Sequence, residues 1–315
     1  MSRTRCVSSR KRFLGGRPAS SVSQTVLQAV WFFHHGRHTK RGPAPRLSNF
    51  SEMFDAPSTL VACAVGGFAF FTITTQVGKA LFTSLKPDRR LFAATCITAL
   101  INASLLSPIS LYAGWLLLNS PSGLNLECAS GVQSLITTPS NQYGVVAVGL
   151  TCGYFLADCV GLRVLLILYP EQMKKDLGSP AQYMIIMWVH HGISLIVWPY
   201  SALRGSAFFF VLYYSVTEVT NIGQNSYLLL REFKSPLEKH AAAAWILSFF
   251  IVRVLPVPLL LYIYAEMLWL QSCGLPTLDL WIGRLTVPIP IGLNLFWFSM
   301  MIQKAQRMMS KTAKQ

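Results

Sequence analysis

The chain has 315 residues, of which 52% are hydrophobic and only 12% are charged. That charged share is about half of what an ordinary soluble domain carries. The formal net charge of +15 would suit a nucleic-acid-binding protein, but the basic residues lie in the N-terminal stretch and in short connecting segments. The composition therefore excludes an ordinary soluble domain, argues against a nucleic-acid partner and indicates an integral membrane protein.

The first predicted element is a basic N-terminal extension, residues 1–54. Residues 1–46 are rich in Arg and Ser, contain no Asp or Glu, and place apolar residues at helical spacing between Val22 and Phe33. These traits are typical of a transit peptide, although a disordered extension explains the same composition. We expect a protein of the endoplasmic reticulum membrane, with a plastid or mitochondrial membrane as the alternative if the extension directs import.

Apolar blocks about twenty residues long follow the extension, each long enough to cross a ~30 Å hydrocarbon core as a helix. Backbone groups in lipid must be hydrogen-bonded within the protein, so helices are expected. The expected fold is all-α and polytopic, with about seven transmembrane helices. The predicted spans are 57–78, 91–118, 144–168, 181–200, 206–230, 241–265 and 281–303. The span 206–230 is the least apolar, because its second half reads TEVTNIGQNS.

The distribution of Lys and Arg predicts an orientation. Basic residues concentrate in the connecting segments 79–90, 169–180 and 231–240 and in the C-terminal tail, whereas the alternate connections hold only Arg204. Basic segments favour the cytosolic side. We therefore expect a cytosolic C-terminus, with a basic tail at 309–315, and an N-terminus on the opposite side.

Small residues and prolines predict local features of the helices. Gly66 and Gly67 are expected to permit close helix contact. Prolines in three spans predict kinks or breaks, which are tolerated where neighbouring groups re-satisfy the freed carbonyls. These prolines are Pro199, Pro256, Pro258, Pro288 and Pro290. Cys128 and Cys273 both lie in segments expected on the non-cytosolic side, where a disulfide between them is a hypothesis.

Ionisable residues at membrane depth are the candidate functional groups, because each is costly in lipid and should face the bundle interior. The fifth predicted span is the most informative. Its polar residues Tyr214, Glu218, Asn221 and Asn225 recur at i, i+4, i+7 and i+11 and so should share one helical face. The candidates are Asp158, His190, His191, Tyr214, Glu218, Asn221, Asn225 and Arg253. An ion pair between Arg253 and either Glu218 or Asp158 is one explanation for part of this set.

The adjacent histidines His190 and His191 point about 100° apart around a helix. Neighbouring residues therefore form a poor chelate, and we expect no metal site. One imidazole facing the interior can act as a general base or a nucleophile, because its free pKa is near neutrality. The histidines and Glu218 are accordingly the predicted catalytic residues if the protein is an enzyme.

Four motifs appear in order with consistent spacing: CGYFLAD at 152–158, HH at 190–191, EVTNIGQN at 218–225 and FIVRVLP at 250–256. In this order they resemble the TLC-domain family, which includes the ceramide synthases and many smaller TLC-domain proteins. The resemblance covers residues 55–308. It implies a six-helix barrel around a lipid-sized cavity, with one additional helix.

The resemblance also implies functions for the matched residues. His190 and His191 match the pair that ceramide synthases use to transfer an acyl group from coenzyme A to a long-chain base. However, 206–230 lacks the histidine and two aspartates that follow in those enzymes, and the connection 79–90 is too short for their extra soluble domain. The smaller TLC-domain proteins, in which Glu218, Asn225 and Arg253 match typical positions, are the better fit.

Two functions remain open at this point. The protein either shapes membrane lipid composition by binding a lipid in its cavity, or it is an acyltransferase that uses acyl-CoA as a co-substrate. In the acyltransferase, Glu218 would polarise the imidazole of one histidine. The expected partners are membrane lipids and, for the enzyme, acyl-CoA, with no bound cofactor. A seven-helix receptor is disfavoured, because the spans have neither the charged tripeptide that ends the third helix of such receptors nor their NPxxY-like ending.

Overall fold

A computed structural model describes residues 55–119, 141–177, 180–270 and 276–312. These parts of the chain are helical and contain no strand, which confirms the all-α prediction. The helices in chain order are α1 Ala56–Leu81, α2 Pro87–Leu118, α3 Gln142–Leu168, α4 Pro170–Leu177, α5 Pro180–Arg204, α6 Phe208–Thr217, α7 Thr220–Glu232, α8 Glu238–Phe249, α9 Val257–Ala265, α10 Thr277–Thr286 and α11 Pro288–Thr312. Two π-helical turns, Phe250–Val254 and Glu266–Leu270, flank α9.

Five helical stretches of the described residues are long and apolar enough to cross a membrane. They are Ala56–Leu81, Pro87–Leu118, Gln142–Leu168, Glu238–Ala265 and Thr277–Arg307. The predicted spans 57–78, 91–118, 144–168, 241–265 and 281–303 fall on these stretches. The chain is therefore an all-α polytopic membrane protein. The N-terminal extension 1–54 and both candidate disulfide cysteines, Cys128 and Cys273, lie outside the described residues.

Glycines bring α1 and α3 into close contact. A Cβ on Gly153 would lie 2.5 Å from the carbonyl oxygen of Ala64, and one on Gly149 would lie 2.8 Å from another backbone oxygen of α1. Gly67 contributes from the α1 side, with 3.3 Å between its hypothetical Cβ and a backbone oxygen of α3. The predicted role is wrong for Gly66, which has nothing within 4 Å. Small residues thus allow the two backbones to approach.

Pro256 interrupts the helix between α8 and α9, and a neighbouring tyrosine compensates for the interruption. Pro256 has no N–H to donate to the carbonyl of Val252, four residues earlier. The Tyr213 hydroxyl on α6 donates to that carbonyl oxygen instead, at 2.6 Å. The Leu255 N–H reaches back five residues to Phe250 at 2.8 Å, which forms the π-helical turn. The break at Pro256 is therefore satisfied internally, as expected from the sequence.

Pro288, where α11 begins, is compensated in the same way. It cannot donate to the Arg284 carbonyl, and the Tyr264 hydroxyl of α9 donates to that oxygen at 2.8 Å. The Arg284 side chain donates to the Leu268 carbonyl at 2.7 Å and lies over the ring of Trp269. Side chains from α9 and the turn after it therefore hold the junction between α10 and α11.

The predicted single helix over 206–230 is wrong, because α6 ends at Thr217 and α7 begins at Thr220. At the break, the backbone N–H of Glu218 donates to the carbonyl oxygen of Ser215. The backbone N–H of Asn221 donates to the carbonyl oxygen of Glu218. Both bonds reach back three residues rather than four. The carbonyl of Thr217 is thereby left without its ordinary helical donor. This local geometry separates Tyr214 from the polar residues that follow it.

Polar contacts tie together connecting segments that the charge distribution places on the same side. Arg89 forms an ion pair with Glu232, which joins the connections 79–90 and 231–240. At the opposite end of the bundle, Asp279 of α10 accepts hydrogen bonds from Tyr200 and Ser206. These contacts agree with the predicted alternation of the chain across the membrane.

Candidate functional site

A cavity of about 640 Å³ lies inside the bundle, between α2, α3, α5, α7, α8 and α11. Its volume is in the range of roughly 300–1,000 Å³ that small-molecule sites occupy. Its wall is mainly apolar, and none of the described residues of α1 contributes to it. Met173 of α4 and Arg253 of the π-helical turn also line it, so the lining comes from more than six helical segments. The expectation of a six-helix barrel with one additional helix stays a prediction.

Seven of the eight predicted site residues line this cavity: Asp158, His190, His191, Glu218, Asn221, Asn225 and Arg253. The exception is Tyr214, which the break after Thr217 leaves on α6. Tyr214 lines a separate pocket of about 40 Å³ and donates a hydrogen bond to the Val287 carbonyl at 2.8 Å. The prediction that all four polar residues of the fifth span share one face is therefore wrong for Tyr214.

The two histidine rings lie 5.3 Å apart, centre to centre, on the wall formed by α5. Phe155 of α3 stacks on His191, with 4.4 Å between ring centres and 15° between planes. Trp297 of α11 meets His190 edge-on at 5.5 Å. His191 is 3% exposed, whereas His190 is less deeply buried. Aromatic contacts from two neighbouring helices therefore hold both imidazoles beside the cavity.

The polar neighbours of His191 come from α3. Asp158 places Oδ2 3.7 Å from Nδ1 of His191, and the Cys159 sulfur lies 3.4 Å from the same nitrogen. The contact with Asp158 is electrostatic, because 3.7 Å exceeds ordinary hydrogen-bonding distance. A carboxylate beside Nδ1 favours the tautomer with the proton on that nitrogen, which leaves the Nε2 lone pair available to a reacting group.

Glu218 bonds to Arg253 and Asn221 in the structure, and its suggested part in catalysis stays a prediction. One carboxylate oxygen accepts from Arg253 at 3.3 Å, and the other accepts from the Asn221 side chain at 2.6 Å. The carboxylate beside His191 belongs to Asp158 instead. Of the two alternative ion pairs considered for Arg253, the structure contains the one with Glu218.

Arg253 is 5% exposed and connects four parts of the site. Its Nε donates to the Thr220 hydroxyl at 2.8 Å, and its Nη1 donates to Asn294 of α11 at 3.2 Å. Both Nε and Nη2 also donate to the freed carbonyl of Thr217, at 3.2 and 3.0 Å. Arg253 lies in the π-helical turn that precedes Pro256, and such turns often occur at functional sites. The guanidinium thus uses its donors in a buried network.

Sequence reasoning missed several residues of the site. Phe155 and Cys159 flank the predicted Asp158, so the one-turn spacing of Phe155 and Asp158 was an available signal. Asn294, on the last span, could not be paired with Arg253 from spacing alone. Further residues that line the cavity but were not singled out are Trp245, Trp297, Lys239 and Lys304. Within the part of the chain that the structure describes, no three His, Cys, Asp or Glu side chains form a group able to hold a metal.

This helical bundle, with ionisable side chains around an interior cavity, defines a polytopic membrane protein of the all-α class. Residues 93–303, well over half of the chain, match the family model of the TLC domain. The chain therefore belongs to the TLC-domain family, whose functions are generally related to lipids. The match begins within α2 and ends within α11, so it includes at least part of every cavity-lining helix and leaves out α1. The lining residues Phe92, Lys304 and Ala305 fall just outside it. A comparison with curated proteins found no match.

Proposed function

We propose that this protein acts in membrane lipid homeostasis by holding a lipid in the cavity beside the histidine pair. The observation that carries the proposal is the cavity itself, about 640 Å³ in volume, apolar over most of its wall and lined by both His190 and His191. An apolar cavity with a few placed polar groups is the usual form of a small-molecule site. The apolar wall would bind the hydrocarbon chain, and the polar groups would fix the position of its functional group.

The charges beside the cavity suit this role. Glu218 and Arg253 neutralise each other and are held by neighbouring side chains. A buried pair of this kind provides oriented dipoles without a large net charge, which an apolar chain tolerates better than an unpaired ion. The membrane is proposed to be that of the endoplasmic reticulum, with a plastid or mitochondrial membrane as the alternative if residues 1–54 direct import.

An acyltransferase activity is the second candidate, and the contact between Asp158 and His191 favours it. With the proton held on Nδ1, the Nε2 of His191 can take a proton from the amine or hydroxyl of an acceptor lipid. The acceptor then attacks the thioester carbonyl of acyl-CoA, the C–S bond breaks, and the imidazolium returns the proton to the departing thiolate. Asp158 would be a positioning residue in this scheme, because it acts through His191.

The test uses purified protein in detergent with labelled long-chain acyl-CoA and a total lipid extract as acceptor. Three variants are compared with wild type: His190→Ala/His191→Ala, His190→Gln/His191→Gln and, as a matched control, His240→Ala on the exposed surface of α8. Lipid that co-purifies with each protein is measured by mass spectrometry. Lipid bound by both wild type and the glutamine variant, with no labelled product from either protein, supports lipid binding without acyl transfer.

Other outcomes separate the two candidates. A labelled product formed by wild type and by His240→Ala, but by neither histidine-pair variant, would establish the acyltransferase and identify its acceptor. If wild type contains no bound lipid after mild extraction and forms no product, the lipid-cavity proposal is contradicted.

A further inference from the structure

The mouth of the cavity differs chemically from its interior. Lys239, near the start of α8, and Lys304, on α11, both line the cavity and are exposed to solvent. Arg253 lies fourteen residues after Lys239 along the same helical stretch, a distance of roughly 20 Å at the rise of a helix. The cavity therefore extends from a basic mouth to the deep Glu218–Arg253 pair, with mostly apolar wall between them.

The charges of the two lysines are not balanced by the other cavity residues. The carboxylates among the described lining residues are Asp158 and Glu218. Glu218 is paired with Arg253, and Asp158 lies beside His191. In the described part of the chain, neither lysine has a carboxylate within 4 Å, and Lys304 lies 5.7 Å from the centre of the Tyr227 ring.

An unpaired donor lies between the mouth and the deep pair. The Trp245 indole nitrogen is buried and has no hydrogen-bond partner among the described residues. Trp245 itself lines the cavity and stacks against Tyr227, with ring centres 5.7 Å apart. A buried N–H without an acceptor is destabilising, and an oxygen of a bound ligand would remove that cost.

We infer that the mouth binds the anionic headgroup, a phosphate or a carboxylate, of a single-chain lipid whose hydrocarbon tail lies in the cavity. This rests on the proposed lipid-binding function and specifies its ligand class. Lys239 and Lys304 provide point charges for the headgroup, and the Trp245 N–H donates to an ester or headgroup oxygen. The mostly apolar wall between the mouth and the Glu218–Arg253 pair would hold one hydrocarbon chain.

Equilibrium binding to the full-length protein in non-ionic detergent tests the inference. The probes are lysophosphatidic acid, a free fatty acid and a monoacylglycerol, all with the same hydrocarbon chain. The first two distinguish a phosphate from a carboxylate headgroup, and the third is neutral. The variant Lys239→Gln/Lys304→Gln is compared with the matched control Lys79→Gln/Lys86→Gln, which removes two exposed lysines outside the cavity.

We expect the cavity variant to bind the preferred anionic probe at least about tenfold more weakly than wild type. Its affinity for the monoacylglycerol should be unchanged, and the control variant should match wild type with every probe. Trp245→Phe, which keeps the ring and removes the N–H, should weaken binding several-fold.

Equal affinity of wild type and the cavity variant for both anionic probes would overturn the headgroup site, even if all probes bind. Failure of wild type to bind any of the three probes would instead contradict the proposed lipid-binding function itself. The two failures are therefore distinguishable.

Discussion

Arg253 donates two hydrogen bonds to the carbonyl oxygen of Thr217, at 3.2 and 3.0 Å. That oxygen lost its helical donor where α6 ends, so the guanidinium replaces a missing backbone bond and also pairs with Glu218. A side chain from one helical stretch thus makes a break in another possible. The break in turn places Glu218 and Asn221 on the cavity wall, away from Tyr214.

Removal of the Arg253 guanidinium should therefore destabilise the protein strongly. We expect Arg253→Met to lower the free energy of unfolding by about 3–5 kcal/mol, because Glu218 is then left as an unpaired buried charge. Thermal unfolding in detergent measures the effect. Arg163→Met is the matched control, since Arg163 is an exposed arginine on α3.

A second variant isolates the charge contribution. Glu218→Gln/Arg253→Met should recover part of the lost stability, because neither charge remains. An Arg253→Met variant as stable as the Arg163→Met control would show that the network does not support the break.

The contact between Asp158 and His191 predicts a change in tautomer. We expect Asp158→Asn to reduce the fraction of His191 that carries its proton on Nδ1, by roughly fivefold in the tautomer ratio if the contact contributes about 1 kcal/mol. Nuclear magnetic resonance of isotope-labelled histidine in nanodiscs measures this ratio directly, and His191→Gln assigns the signal. Glu218→Gln is the control, because Glu218 bonds to Arg253 and Asn221. Equal effects of the two substitutions would contradict the assignment of Asp158 as the partner.

The sequence predicted those features that depend on local pattern. Apolar length located the helices, and the cost of charge in lipid correctly directed Asp158, Glu218 and Arg253 to the interior. Adjacent histidines were expected to face the interior, and both do line the cavity. Each of these conclusions needed only the chain's own periodicity and composition.

The remaining features depend on contacts between distant segments. The break between Thr217 and Thr220 has no proline or glycine to indicate it, and the guanidinium that donates to the freed Thr217 carbonyl belongs to a residue thirty-six positions later. Spacing along the chain also could not show which carboxylate lies beside the imidazole, and the sequence suggested Glu218. The nearer carboxylate, Asp158, lies on α3, and helix packing alone determines its distance from His191.

The hydrogen bond between Tyr213 and the Val252 carbonyl predicts a compensating pair of substitutions. Tyr213→Phe leaves that carbonyl without a donor, and we expect a loss of about 1–3 kcal/mol in stability. Pro256→Ala restores an N–H four residues after Val252, so the double variant should lose less than Tyr213→Phe alone. Thermal unfolding of both single variants and the double variant gives the coupling energy. A coupling of zero would show that the hydroxyl does not replace the proline's missing donor.

The close approach of α1 and α3 makes Gly153 the position on α3 most sensitive to an added methyl group. A Cβ there would lie 2.5 Å from both the Ala64 oxygen and the Phe68 nitrogen, so the helices must separate to accept it. We expect Gly153→Ala to cost about 1–3 kcal/mol, although alanine is the better helix former. Gly66→Ala is the matched control on α1, with nothing within 4 Å of its Cβ, and should be neutral or slightly stabilising. Thermal unfolding in detergent compares the two, and equal stabilities would mean that α1 is not held against α3 by this contact.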